Sequence, residues 1–144
     1  MLQKSVFKVI LTSLPIVYIL FVWVLSSLPA DAILDTSFSF DSLLKESLHL
    51  IEFAILYWLL AFSFASNRKW DEKMSIVAAV ISISYGAIDE IHQYFVPYRS
   101  ATVIDFVKDT IGVLVSYYIV RKTYFAMREG SIVTRVFRRI EEKN

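Results

Sequence analysis

No cysteine occurs among the 144 residues. That single absence removes a disulfide framework, a thiolate nucleophile and a thiolate metal site, and it leaves the redox compartment unspecified. Charge is scarce as well: charged residues make up 20% of the chain and the formal net charge is +1. A chain so evenly balanced, with no basic patch interleaved with aromatics, is not built to bind nucleic acid. What it has in abundance is apolar bulk, 56% of its residues, more than an ordinary soluble single domain of this length carries.

The apolar residues come in blocks. From Val9 to Ala30 there is no charged side chain, which as a helix reaches about 33 Å, enough to cross a hydrocarbon core of about 30 Å. Three shorter apolar cores follow, Phe53 to Asn67, Met74 to Ile88 and Thr110 to Val120, each below the roughly 20 residues that a span takes. A signal peptide ahead of a secreted helical domain is the rival reading, since Lys4 and Lys8 precede the first block and "ADA", Ala30 to Ala32, resembles a cleavage site. The first block is too long for it, because signal cores run about 7 to 15 residues.

Lysine and arginine decide the orientation, since they accumulate in short cytoplasmic loops. Twelve of the 15 lie before the first block, in "NRKWDEK" between the second and third, or after Val120. Only Lys45, Arg99 and Lys108 lie on the other side, while Asp31, Asp35 and Asp41 mark the first connector as external. The expectation is an all-α fold: an integral membrane four-helix bundle with both termini cytoplasmic. Its spans cover about 6–28, 47–66, 73–93 and 102–121 within a domain 1–122, with a cytoplasmic amphipathic tail over 123–144. In "DTSFSFDS", Ser39 or Asp41 is an N-cap for the second helix.

Each short core reaches membrane length only by taking in polar residues at its outer end. On the second helix Lys45, His49 and Glu52 fall at i, i+4 and i+7, within about 60° of one another. On the third, Asp89 shares a face with His92 and Gln93 and with the small residues Ala78, Ser82 and Gly86. On the fourth, Asp105, Asp109, Gly112 and Ser116 form a similar stripe, and Arg99 hangs on the loop set by Pro97. Ionisable groups at membrane depth are expensive, face the bundle or a wet cavity, and mark function by default.

Plainer readings stand beside these. "TVID", Thr102 to Asp105, is also a capping box, Lys108 a snorkelling side chain, and Glu90 a headgroup-facing acid or a partner of Arg99. "SSLP", Ser26 to Pro29, is a helix stop, and Trp23, Tyr94, Phe95 and Tyr98 suit an interfacial belt. In "SIVTRVFRRI", Ile132, Val133, Val136, Phe137 and Ile140 oppose Arg135, Arg138 and Arg139. That pattern is an interfacial helix on anionic lipid, or a docking helix for a partner.

"SSLP", "KESLHLIEF" and "DEIHQYFVPYRSATVIDFVKDTIG" together resemble the VanZ-like family of small bacterial membrane proteins, named after a factor associated with teicoplanin resistance. The positions that carry the likeness are Lys45, His49, Phe53, Asp89, Glu90, His92, Gln93, Pro97, Arg99, Asp105, Asp109 and Gly112. Tyr98 stands where the family often has glycine, and Asp109 where it often has asparagine. The resemblance implies cell-envelope biology and antibiotic tolerance, and no particular reaction.

Two functions fit. The first is recognition, at an outer-leaflet polar pocket, of an anionic lipid-linked envelope component such as a peptidoglycan precursor, or of a lipoglycopeptide. Arg99 would hold a phosphate or carboxylate, with Gln93, His49, Glu52, Asp105, Asp109 and Lys45 around the ligand. The second is an intramembrane enzyme acting on a lipid-linked substrate through Glu90, His92 and Asp89 as acid and base. A metal-assisted form would draw on His49, Glu52, Asp89 and His92, in a set suited to zinc or manganese; otherwise no cofactor is implied. No Ser-His-Asp or Cys-His pattern occurs, and four short spans without an internal repeat leave little room for a carrier.

Overall fold

The computed structural model describes residues 2–28, 41–97, 99, 101–126 and 130–142, and for 2–4 and 41–49 it describes the backbone alone. The first connector, with Asp31, Asp35 and Ser39, lies outside the described residues, as do Tyr98 and the side chains of Lys45 and His49. The described chain is helical throughout, without a strand. Four long helices, α1 (Leu2–Ser26), α2 (Asp41–Ser66), α3 (Glu72–Tyr94) and α4 (Val103–Val120), are followed by a π-helical segment, Arg121–Phe125, and a short helix α5 (Ile132–Glu142).

Local chemistry sets the helix ends. Asp71 caps α3, its carboxylate accepting from the Met74 amide at 2.7 Å, and Thr102 caps α4, its hydroxyl accepting from the Asp105 amide at 3.1 Å. The end of α2 is a two-bond reversal, with Lys69 N–H donating to the Phe64 carbonyl and Arg68 N–H to that of Ala65, both at 2.9 Å. Arg68 sits at its pivot with φ +56°, a left-handed position that glycine usually fills.

α2 is the central element, touching α1, α3, α4 and α5. Its approach to α4 depends on Gly112: a Cβ there would lie 1.9 Å from the Leu50 carbonyl oxygen. The interior holds Phe53, Leu56, Tyr57, Val22 and Val113, mixed with Ser63, Ser66, Ser75, Ser82 and Ser116. The exterior carries the large aliphatics: Val9, Ile16 and Leu20 on α1, Ile51 and Ile55 on α2, Val80, Ile88 and Ile91 on α3, and Val103, Ile111 and Val115 on α4. Serines among the buried side chains and branched apolar residues on the outside are the distribution expected where the surrounding solvent is hydrocarbon.

Length and composition separate the helices further. Among the described residues, Ser5–Ser26 and Glu72–Tyr94 are long and apolar enough to cross a membrane, and the described apolar run of α2, Leu50–Ser66, is shorter. α4 carries Asp105, Lys108 and Asp109 in its first two turns. Of the four expected spans, two satisfy both criteria among the described residues.

The tail folds back. Phe137 is fully buried on α5, stacked on Trp70 at 5.1 Å and in ring contact with Trp58, Phe62 and Tyr124. Tyr124 donates to Glu141 at 2.8 Å, and the Thr134 hydroxyl to the Thr123 carbonyl at 3.1 Å. Burial, with the Glu141 hydrogen bond beside it, pushes the Tyr124 hydroxyl up to about 12, so it stays a donor at neutral pH. Part of the apolar face read from the sequence as facing lipid is thus spent on the bundle itself.

Candidate functional site

The ends of α1 and α3 and the start of α4 meet at one end of the bundle. Arg99, just past α3, closes α1: its Nε donates to the Leu28 carbonyl at 2.9 Å and its Nη2 to that of Leu25 at 2.6 Å. A guanidinium suits this position, since the last carbonyls of a helix lack intrahelical partners and carry the negative end of its dipole. His92 joins the same end, its Nε2 2.9 Å from Ser27 Oγ and its ring stacked on Trp23 at 3.9 Å. Ser27 and Trp23 are one turn apart, so one face of α1 receives the whole imidazole.

The acids come from α2, α3 and α4. Asp89 is fully buried and accepts from Gln93 Nε2 at 2.6 Å. Glu90 Oε2 accepts from the Thr102 amide at 3.2 Å, while the Thr102 hydroxyl donates to Asp105 at 2.6 Å. In an ordinary capping box the acid at the third helical position takes the cap's own amide. Here an acid from the neighbouring helix takes it, and α3 and α4 are tied together at their polar ends. Lys108 pairs with Asp105 at 3.2 Å. Asp109 is buried one turn below, close enough to α3 that a Cβ on Gly86 would lie 3.6 Å from its own.

Glu52 on α2, Asp89 and Glu90 on α3, and Asp105 and Asp109 on α4 are close enough to interact electrostatically, and Arg99 is within such reach of Glu52 and Glu90. One oxygen each of Asp89 and Glu90 is buried without a hydrogen-bond partner among the described residues. The result is a cluster rich in acceptors, with Arg99 and Lys108 as its described cations. Such a cluster takes hydroxyl and ammonium donors readily, and Arg99, whose fork keeps donors beyond the two used on α1, can take an anionic group.

The structure brings Glu52, Asp89, Glu90, Gln93, Asp105, Asp109 and Arg99 to one end, and His92 stands at the same end with its hydrogen bond on α1 rather than on an acid. Lys45 and His49 cannot be placed in the cluster, because their side chains lie outside the described residues. Among the described residues no three His, Asp or Glu side chains are grouped to hold a metal ion. Of the four metal ligands considered from sequence, Asp89 is bonded to Gln93 and His92 to Ser27.

Tyr18 and Tyr85 went unnoticed in the sequence. The Tyr18 hydroxyl donates to the Glu52 carbonyl at 3.1 Å and that of Tyr85 to the Ile19 carbonyl at 2.8 Å, pinning α1 to α2 and α3 just below the acids. A phenol in the middle of an apolar block needs an acceptor, and that need was the available signal.

A profile of the family described as VanZ/LLP1 matches residues 5–126. The chain belongs to the VanZ/LLP1 family. The match takes in α1 from Ser5, the whole of α2, α3 and α4, and the π-helical segment, so every residue of the acid cluster falls within the VanZ/LLP1 region and α5 lies beyond it. No curated protein and no solved structure matched the chain. Family membership and the two long apolar helices are compatible with a VanZ-like envelope protein in a membrane.

Proposed function

We propose that this VanZ/LLP1 protein crosses the bacterial cell membrane four times with both termini cytoplasmic. In this reading it lowers susceptibility to glycopeptides and lipoglycopeptides such as teicoplanin by binding at a polar pocket beneath the outer surface. The ligand is an anionic lipid-linked envelope component such as a peptidoglycan precursor, or the drug. The orientation is supported by Lys8, Arg68, Lys69, Lys73, Arg121 and Lys122, which all belong to the helix ends opposite the acid cluster.

The observation that carries the reading is the meeting of Glu52, Asp89, Glu90, Asp105 and Asp109 with Arg99. So many ionisable groups are an extravagant way to hold helices together, since interhelical hydrogen bonds in membranes contribute only about 0.6 to 2 kcal/mol. A ligand with one phosphate and many hydroxyls fits their balance: the phosphate at Arg99, the hydroxyls on the carboxylates. The test is teicoplanin susceptibility of cells expressing the wild type, Arg99→Ala, Glu52→Gln or Glu90→Gln, with membrane levels matched. Protection is expected to fall in all three variants. Full protection by Glu52→Gln and Glu90→Gln would remove the acid cluster from the mechanism.

A second reading, an intramembrane enzyme, draws on Glu90 in particular. One of its oxygens is anchored by the Thr102 amide and the other is free among the described residues, the arrangement a general acid or base needs. Turnover of an envelope lipid that stops in Glu90→Gln while ligand binding persists separates this reading from recognition alone.

A further inference from the structure

We propose that the outward edge of α5 is a docking surface for the anionic phospholipid headgroups of the cytoplasmic leaflet, an inference that rests on the membrane placement and orientation proposed above. The helix is only half consumed by its contact with the bundle. Phe137 and Ile140 are buried against it, whereas Ile132 is 72% exposed and Val136 38% exposed. At 100° per residue those two lie within about 40° of each other, and Arg139 and Arg135 follow about 20° and 60° beyond Ile132, away from the buried face.

α5 therefore presents three successive strips: an aromatic strip on the bundle, an aliphatic strip at its side, and a cationic strip below that. Among the described residues Arg135 and Arg139 belong to no ion pair. Glu141, the acid nearest the bundle, is engaged by Tyr124. Beyond Arg135, Glu142 follows about 20° and Arg138 about 60° further round, and both line a groove of about 430 Å³ with Arg68, Trp70 and Glu141, where charges of both signs are present.

An aliphatic strip beside two arginines that belong to no ion pair among the described residues matches the boundary where acyl chains meet anionic headgroups, and Glu142 closes the far margin of that strip. Docking on Phe137 fixes that edge rigidly, so ordering of the helix is already complete before it meets lipid. Two hydrogen bonds, Tyr124 to Glu141 and Thr134 to the Thr123 carbonyl, tie the helix to the π-helical segment.

The test uses the full chain, which has no cysteine of its own. Ile132→Cys is labelled with an environment-sensitive fluorophore in nanodiscs of phosphatidylcholine, alone or with about one third phosphatidylglycerol, containing lipids that bear a quencher near the headgroup. The proposal expects quenching about twofold stronger in the anionic discs, and the gain disappears in Arg135→Gln/Arg139→Gln. Equal quenching in both lipids overturns it, and so does a blue shift without quenching, which would mean that a second copy or another protein covers the edge. A probe at Val80→Cys, on the exposed apolar side of α3, is read with a deep quencher in parallel. If Val80 is unquenched the membrane placement fails; if only Ile132 is unquenched, the docking surface alone fails.

Discussion

Arg99 Nη2 donates to the Leu25 carbonyl oxygen at 2.6 Å, and Nε of the same guanidinium reaches Leu28. A loop residue more than 70 positions downstream thus finishes the first helix, and the residue nominated to hold an anion also holds this end of the bundle together. The two duties share one fork. Hydrogen bonds to a charged group contribute about 1.5 to 3 kcal/mol each.

Arg99→Lys is therefore expected to lose most of what Arg99→Ala loses. A lysine keeps the charge but cannot deliver two donors at the fixed spacing of a guanidinium. In detergent, thermal unfolding of both variants should drop to a similar degree. A lysine variant as stable as the wild type would show that charge alone holds α1.

The two helical glycines make opposite predictions. Gly112→Ala puts a Cβ 1.9 Å from a backbone oxygen of α2, a clash that no side-chain rotation relieves. Overpacking of this kind costs about 1 to 3 kcal/mol or more, and expression or melting temperature should fall accordingly. Gly86→Ala meets only ordinary contacts at 3.6 Å with Asp109 and Phe53. It should fold at least as well as the wild type, since alanine is the better helix former by about 1 kcal/mol.

Phe137→Ala should release α5 without unfolding the bundle. Removing a buried phenylalanine costs about 3 to 5 kcal/mol, and here the loss falls on one short helix held by Trp58, Phe62, Trp70 and Tyr124. Limited proteolysis should cut the variant between the π-helical segment and the C-terminus while leaving the VanZ/LLP1 region intact. A resistant tail would mean that other contacts of α5 suffice.

Arg68→Gly should raise stability. Arginine in a left-handed conformation costs about 1 kcal/mol or more, and glycine at the end of α2 adopts that conformation freely. A rise of a few degrees in melting temperature is expected. A fall would indicate that the Arg68 side chain, which lines the groove beside Trp70 and Arg138, contributes more than the backbone strain removes.

Much of this was legible in the residues, for identifiable reasons. Periodicity and charge patterning mark helices and their polar faces, and "TVID" marks the cap that Thr102 provides. The partner of each face is less legible, because helical spacing says which side is special and not what stands opposite. His92 and Gln93 both lie near Asp89 on a helical wheel, yet they are about 100° from each other, so one faces α1 and the other stays with the acid. The same limit applies to the tail, whose amphipathic pattern requires a buried face for Phe137 without saying that Trp70 supplies it. Arg99 likewise shows its charge and fork in the sequence, while its acceptors, two bare carbonyls at a distant helix end, carry no sequence signature at all.

The most direct test of the account is the side of the membrane on which the acid cluster opens. Because the chain lacks cysteine, Ala101→Cys in the loop beside Arg99 and Lys69→Cys in the turn after α2 each give one reactive position. With a membrane-impermeant thiol reagent, residue 101 should label in intact cells and residue 69 only after permeabilisation. Labelling of residue 69 from outside, with residue 101 protected until the membrane is opened, would place the acids and Arg99 on the cytoplasmic side and contradict recognition of an external ligand.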